Sequence, residues 1–310
     1  MTDRFRLWCR SACEGGDLDR LSAWIDALQL RGRPHLLFAV HGYNNTACEA
    51  RDSYDRFCAR QSVKSVRGDD WTFGAPVVEV YWPGDARWGM LRALFYPKAL
   101  TVADQTSDLL NSIIRDLIQY ANGRLTVDFV THSMGARVVL GTVSKLQGVP
   151  GLYVRRCVHM AAAIPVHRLD DLSDEFRQGL NEEARLGKVA SFYSTSDDVL
   201  AYAFPAGESL HAGSEGVLPV ALGHAQWIAH NAVSSLQQFD AQPAGHSNYW
   251  NGVDTLEDQV RTSLAFPTTG SAVLPSRATS PARQLQSRGT DQRSTVSRNT
   301  GTQRIDCTCS

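Results

Sequence analysis

The sequence predicts an α/β fold with a mostly parallel central sheet and helices on both faces. Two observations predict it. Five short apolar runs, rich in branched and aromatic residues, recur along the chain: 35–40 (HLLFAV), 77–82 (VVEVYW), 125–130 (LTVDFV), 156–163 (RCVHMAAA) and 189–195 (VASFYST). Runs of this length and continuity mark strands buried on both faces. Between them lie longer segments, 45–61, 99–121, 134–146 and 169–186, each able to form a helix. Strand–helix alternation joins parallel strands by crossovers that cover both faces of a sheet.

The elements follow in order. Run 35–40 ends in HGYNN, His41 to Asn45, a Gly/Asn turn ahead of the helix over 45–61. Strand 77–82 leads into an aromatic stretch broken by Gly and Pro, and then the helix over 99–121. Strand 125–130 gives way at THSMG to the helix over 134–146, where Val138, Val139, Thr142 and Leu146 fall at helical spacing. Strand 156–163 precedes the helix over 169–186, and strand 189–195 runs into an acidic turn. A final strand is expected within 232–242 and a helix over 253–264.

From about Pro267, Ser, Thr, Arg and Gln replace almost every large apolar residue. Such a segment cannot bury enough surface to offset its chain entropy. Residues 1–266 are therefore expected to form the folded domain and 267–310 a disordered tail. The stretch 271–310 holds six Arg and two Asp, a local charge of +4.

The 310 residues are 43% hydrophobic and 20% charged with a net charge of -1, an ordinary globular balance. That charge gives no reason to expect nucleic acid as a partner. No stretch approaches the ~20 apolar residues of a membrane span, and the N-terminus has no apolar run like that of a signal peptide. The seven cysteines (9, 13, 48, 58, 157, 307 and 309) are odd in number and lack metal-ligand spacing. They read as thiols in a reducing compartment, so the expected location is cytoplasmic.

The chemistry is expected at THSMG. Ser133 stands where the strand pattern stops and the helical one begins. A serine there fits two roles: an N-cap, whose hydroxyl accepts from the first turn, or a nucleophile on a sharp strand–helix turn. Gly135 supplies a small neighbour, whereas Thr131 stands where G-x-S-x-G has its first glycine. An acyl-transfer serine also needs oxyanion donors, a base and an acid. The donors expected are the N–H groups of Tyr43, after His-Gly at the end of strand 35–40, and of Met134, at the positive end of the next helix.

HGYNN and THSMG, in this order after successive strands, resemble the α/β-hydrolase superfamily. Within it they are most similar to a bacterial serine-hydrolase family of largely unknown function with an HGYN-type loop and an HSMG-type elbow. The likeness runs from about His35 to His246 and departs from the superfamily motif at Thr131. It implies an α/β-hydrolase-like fold and a catalytic Ser, acid and His in that order. Asp197 and Asp198 both follow strand 189–195; Asp197 is preferred as the first carboxylate past the strand, with Asp198 the alternative. Of the later histidines (His211, His224, His230 and His246), His246 lies in PAGHSNYW after the last expected strand, where the superfamily presents its base. His224 and His230 do not share a helical face and make a poor metal pair. His41 and His132 read as turn or supporting residues.

The function expected is a serine hydrolase that cleaves a carboxylic ester or related acyl bond through an acyl-enzyme on Ser133, with no metal or cofactor. Trp82, Trp88, Phe95, Tyr96, Tyr202 and Phe204 are candidate walls of an apolar acyl pocket, which points to a small-molecule or lipid-like ester. Two alternatives stand beside it: an acyltransferase with the same triad, and a non-catalytic binding protein on a hydrolase fold.

Overall fold

A computed structural model of the chain describes residues 4–9, 16–28, 30, 34–43, 45–66, 75–84, 96–211, 218–227 and 236–250. Internal contacts divide the chain into Met1–Phe266 and Pro267–Ser310. The second unit and the helix expected over 253–264 lie outside the described residues.

The described strands are β1 (Arg4–Trp8), β2 (His35–Val40), β3 (Val77–Tyr81), β4 (Leu125–His132), β5 (Leu152–Met160), β6 (Lys188–Tyr193) and β7 (Leu236–Asp240). They form one sheet in the order β1-β3-β2-β4-β5-β6-β7, and every pairing is parallel. The helices are α1 (Gly16–Ala27), α2 (Ala47–Val66), α3 (Tyr96–Tyr120), α4 (Gly135–Lys145), α5 (Val166–Asp170), α6 (Glu175–Leu186) and α7 (Phe204–His211), with a π-helical turn at Val199–Ala203. Helices α1, α3, α4 and α6 pack in a row, while α2 packs on β3 outside that row.

The strand order matters for function. From β2 the chain runs outward through β3, whose outer edge carries β1; it then returns to β4 and continues through β7. The order reverses between β2 and β4, which leaves a crevice at their carboxyl ends, the usual ligand position in open α/β sheets. The register pairs Val40 with Thr131, so HGY and THSMG emerge side by side.

The core explains the apolar runs. All of β3 is buried, as is β2 after His35. The amphipathic α3 buries Leu100, Ala103, Leu110, Ile114 and Leu117 at helical spacing. Edge strand β1 has no counterpart in the expected elements, because RFRLW alternates charge with bulk over only five residues. Phe5 and Leu7 enter the core, and Arg4 bonds to the buried Glu79 of β3. Among its described side chains, helix α1 buries Leu21 and Ile25 fully. The helix expected over 169–186 is two: a turn at Asp171–Asp174 divides it, and the Asp174 side chain caps α6 through the Phe176 N–H (2.8 Å).

Two further expectations meet the structure here. No described helix is long and apolar enough to cross a membrane. Cys48 is disulfide-bonded. This corrects the reading of all cysteines as thiols and removes that ground for a cytoplasmic setting, since disulfides persist in oxidising compartments.

Candidate active site

Ser133 sits at the β4–α4 junction with φ +54°. That is left-handed backbone, which an L-residue with a Cβ avoids. The neighbours hold it there. The Ser133 N–H donates to the Met160 carbonyl (2.9 Å), and the Ser133 carbonyl accepts from Ala136 (3.1 Å) and Ala163 (3.2 Å). Strain of this kind persists where the surroundings over-determine it, as at the turn of a nucleophile elbow. The serine does not act as an N-cap: Met134 occupies that position, and no side chain caps α4.

Two glycines permit the packing. A Cβ on Gly135 would lie 2.5 Å from the Val40 carbonyl oxygen, so the first turn of α4 can rest on the end of β2 only without one. A Cβ on Gly42 would lie 2.8 Å from the Ser133 Cβ and 2.9 Å from His132 Nδ1. The His-Gly loop therefore touches the elbow directly. Trp82 secures that loop: it is fully buried, stacks on His41 (5.6 Å between centroids) and donates its indole N–H to the His41 carbonyl (2.8 Å).

Thr131 is accommodated because it is engaged elsewhere. Its hydroxyl lies 2.9 Å from His159 Nδ1, and His159 Nε2 lies 2.8 Å from Glu183 Oε2, all three side chains buried. The carboxylate accepts the Nε2–H, and in that tautomer Nδ1 accepts from the threonine hydroxyl. The hydroxyl thus joins β4 to β5 and α6 instead of crowding the turn.

Asp197 and Asp198, adjacent in sequence, part company. Asp197 is fully buried: one oxygen lies 2.8 Å from His246 Nδ1 and the other accepts from the Leu200 N–H (3.0 Å). Asp198 is exposed and makes no cap bond at the π-helical turn. His246 follows β7 and a loop in which the Gln242–Pro243 peptide is cis. Its ring lies 4.8 Å from that of His132, centroid to centroid, beside the residue that precedes Ser133. His132 Nε2 lies 2.7 Å from the His246 carbonyl oxygen. Burial lowers the His132 pKa to about 3, with the neighbouring His246 charge acting in the same direction. Burial and the charges of Asp197 and Asp240 raise that of Tyr249.

Met134 opens α4, where N–H groups have no intrahelical acceptor and the helix dipole is positive. Tyr43 lies on the other side of the crevice, its ring edge-on to Tyr96 (5.8 Å). Tyr96 in turn donates to Glu208 (3.0 Å), which forms a buried ion pair with Arg137. The Arg137 guanidinium stands 4.9 Å over the Phe176 ring. This cluster ties the starts of α3 and α4 to α7 below the elbow. Tyr43 and Tyr96 were expected at the site, but Glu208 and Arg137 were not; an arginine in the apolar run ARVVL was the available signal.

The four aromatic candidates among the described residues scatter. Trp82, Tyr96 and Phe204 are buried in the core, while Tyr202 is 75% exposed. Trp88 and Phe95 lie outside the described residues. Segment 199–211 is a π-helical turn running into α7. A cavity of about 250 Å³ does open beside His132 and Ser247, but its walls are polar, among them Asn45, Asp52, Ser53 and Arg56.

Residues 19–203, more than half of the chain, match the family model described as an alpha/beta hydrolase of unknown function (DUF900). The chain belongs to that family. Sheet order, elbow and match agree on an α/β-hydrolase fold. Among solved structures, the lin2722 gene product of Listeria innocua is 12% identical (76% of this chain, 95% of that one, TM-score 0.42). The carboxylesterase CesB of Bacillus subtilis is 11% identical (75% and 84%, TM-score 0.33). A structure reported for the metagenome-derived lipolytic enzymes LipS and LipT is also 11% identical (76% and 93%, TM-score 0.39). A search of curated proteins finds no match.

Proposed function

We propose that this member of the DUF900 family is a serine hydrolase that cleaves carboxylic esters or related acyl bonds, with Ser133 as nucleophile, His246 as base and Asp197 as orienting acid. One observation carries the reading: a left-handed Ser133 at a strand–helix turn shares the carboxyl edge of the sheet with a His246–Asp197 hydrogen bond of 2.8 Å. A buried carboxylate on Nδ1 fixes the ring's tautomer, leaves Nε2 free to accept a proton, and stabilises the imidazolium that results.

In the reaction His246 Nε2 takes the Ser133 hydroxyl proton as Oγ attacks the acyl carbon. The N–H groups of Met134 and Tyr43 hold the oxyanion, aided by the dipole of α4. His246 returns the proton to the leaving group, and water, activated by the same ring, releases the acyl chain. The substrate expected is a small-molecule or lipid-like ester.

A fluorophosphonate probe tests the proposal. It should label the wild-type protein at Ser133 and leave Ser133→Ala unlabelled, and a panel of p-nitrophenyl esters should lose turnover by up to about 10⁶-fold in that variant. Folded wild-type protein that takes no label and turns over no ester would refute the reading.

A further inference from the structure

His132 has no part in the mechanism above, yet it makes a specific contact with the residue proposed as base. Its Nε2 lies 2.7 Å from the His246 carbonyl oxygen, across 114 residues of chain. A carbonyl only accepts, so the proton sits on Nε2 and Nδ1 is bare. The ring is enclosed by Tyr249 (6.2 Å) and Trp250 (6.1 Å), and it needs the missing side chain of Gly42 to fit. Local turns shape the loop, Ala244 N–H to Ala241 and Asn248 N–H to Gly245, and the Ala241 N–H fastens its start to Tyr193. Among the described residues, two polar attachments hold His246 itself. The imidazole is tied to Asp197 beyond β6, and the carbonyl is tied to His132 at the end of β4.

We infer that His132 is a positioning residue for His246: the Nε2–H that it donates to the His246 carbonyl fixes the loop so that the ring meets both Asp197 and the elbow. The inference rests on the reading of His246 as the base. Two attachment points, one past β6 and one at the end of β4, set the ring's orientation, where the side-chain bond alone would let the backbone swing. His246, Asp197 and His41 act on His132 by charge, Tyr249 packs on its ring, and Glu49, Asp52 and Arg56 line the cavity beside it. A neutral His132 adds no positive charge against the imidazolium that His246 becomes in catalysis.

The test compares His132→Gln with His132→Asn. A glutamine amide nitrogen reaches about as far as Nε2, whereas asparagine reaches only the position of Nδ1. The Gln variant should keep kcat within about threefold. The Asn variant should lose about 100-fold in kcat, with KM little changed, because a misplacement near 1 Å has that cost. Equal kcat in the two variants, or a Gln variant that fails to fold, overturns the proposal. Amide hydrogen exchange over 244–249 gives a readout independent of activity. Faster exchange in the Asn variant but not the Gln variant supports the anchor, and equal protection in all three proteins sinks it. Wild-type protein that neither labels nor turns over, while exchange differs as expected, defeats the hydrolase reading and leaves the anchor standing.

Discussion

Replacing Ser133 by glycine should make the protein more stable while it abolishes the proposed chemistry. The reason lies in the backbone, which holds this residue at φ +54° through three hydrogen bonds. A residue with a Cβ is disfavoured there by about 1–3 kcal/mol. Glycine escapes that penalty but loses about 0.5–1 kcal/mol more conformational freedom than alanine on folding. The balance favours glycine by about 1 kcal/mol. For a folded unit of this size that corresponds to a rise in Tm of about 2–4 °C. The reference is Ser133→Ala, which lacks the hydroxyl but keeps the Cβ, so the difference between the variants isolates the backbone term. Differential scanning calorimetry of the three proteins under one buffer condition measures it. If Ser133→Gly melts at or below Ser133→Ala, the elbow is not strained in the way the backbone angle indicates.

Further outcomes follow from the same geometry. Asp197→Asn should lower kcat on a test ester by about 10⁴-fold, through loss of the favoured His246 tautomer, whereas Asp198→Asn should change it little; the reverse result would reassign the acid. Gly135→Ala places a Cβ 2.5 Å from the Val40 carbonyl oxygen, so α4 must shift, and urea denaturation should show a loss of about 1–3 kcal/mol with impaired activity. Asp128 is buried in β4, and burial alone would raise its pKa, but hydrogen bonds from His35 and Arg155 outweigh that and hold it below the usual carboxyl value. A depressed carboxyl contributes stability that is present above the unfolded value near 4 and is lost as pH falls through the lower folded value. The Tm gap between wild type and Asp128→Asn should therefore be widest near neutral pH and narrow below about pH 4; a gap independent of pH would contradict this.

The sequence by itself determined the class of the fold and the sheet edge at which the proposed site is assigned. Largely apolar runs such as HLLFAV and VVEVY are legible because a strand buried on both faces must be apolar at nearly every position, and they recur between helix-length segments; Glu79 is the buried exception, bonded to Arg4. Elements whose residues are half exposed were harder to read. Strand β1 places only Phe5 and Leu7 inward, and β7 (LQQFD) carries mostly polar residues at the sheet's edge. The glycines of HGYNN and THSMG could be read as points of close approach, but not what they approach. Tertiary structure alone decided that Gly42 abuts Ser133 and that Gly135 rests on Val40. It decided that Thr131 binds His159, and that of two adjacent aspartates one is buried against His246 while its neighbour faces water. The physical reason is separation along the chain. Periodicity reports a residue's burial through its immediate neighbours, whereas the direction of one carboxylate past a strand depends on a histidine 49 residues away, and only folding brings that histidine to it.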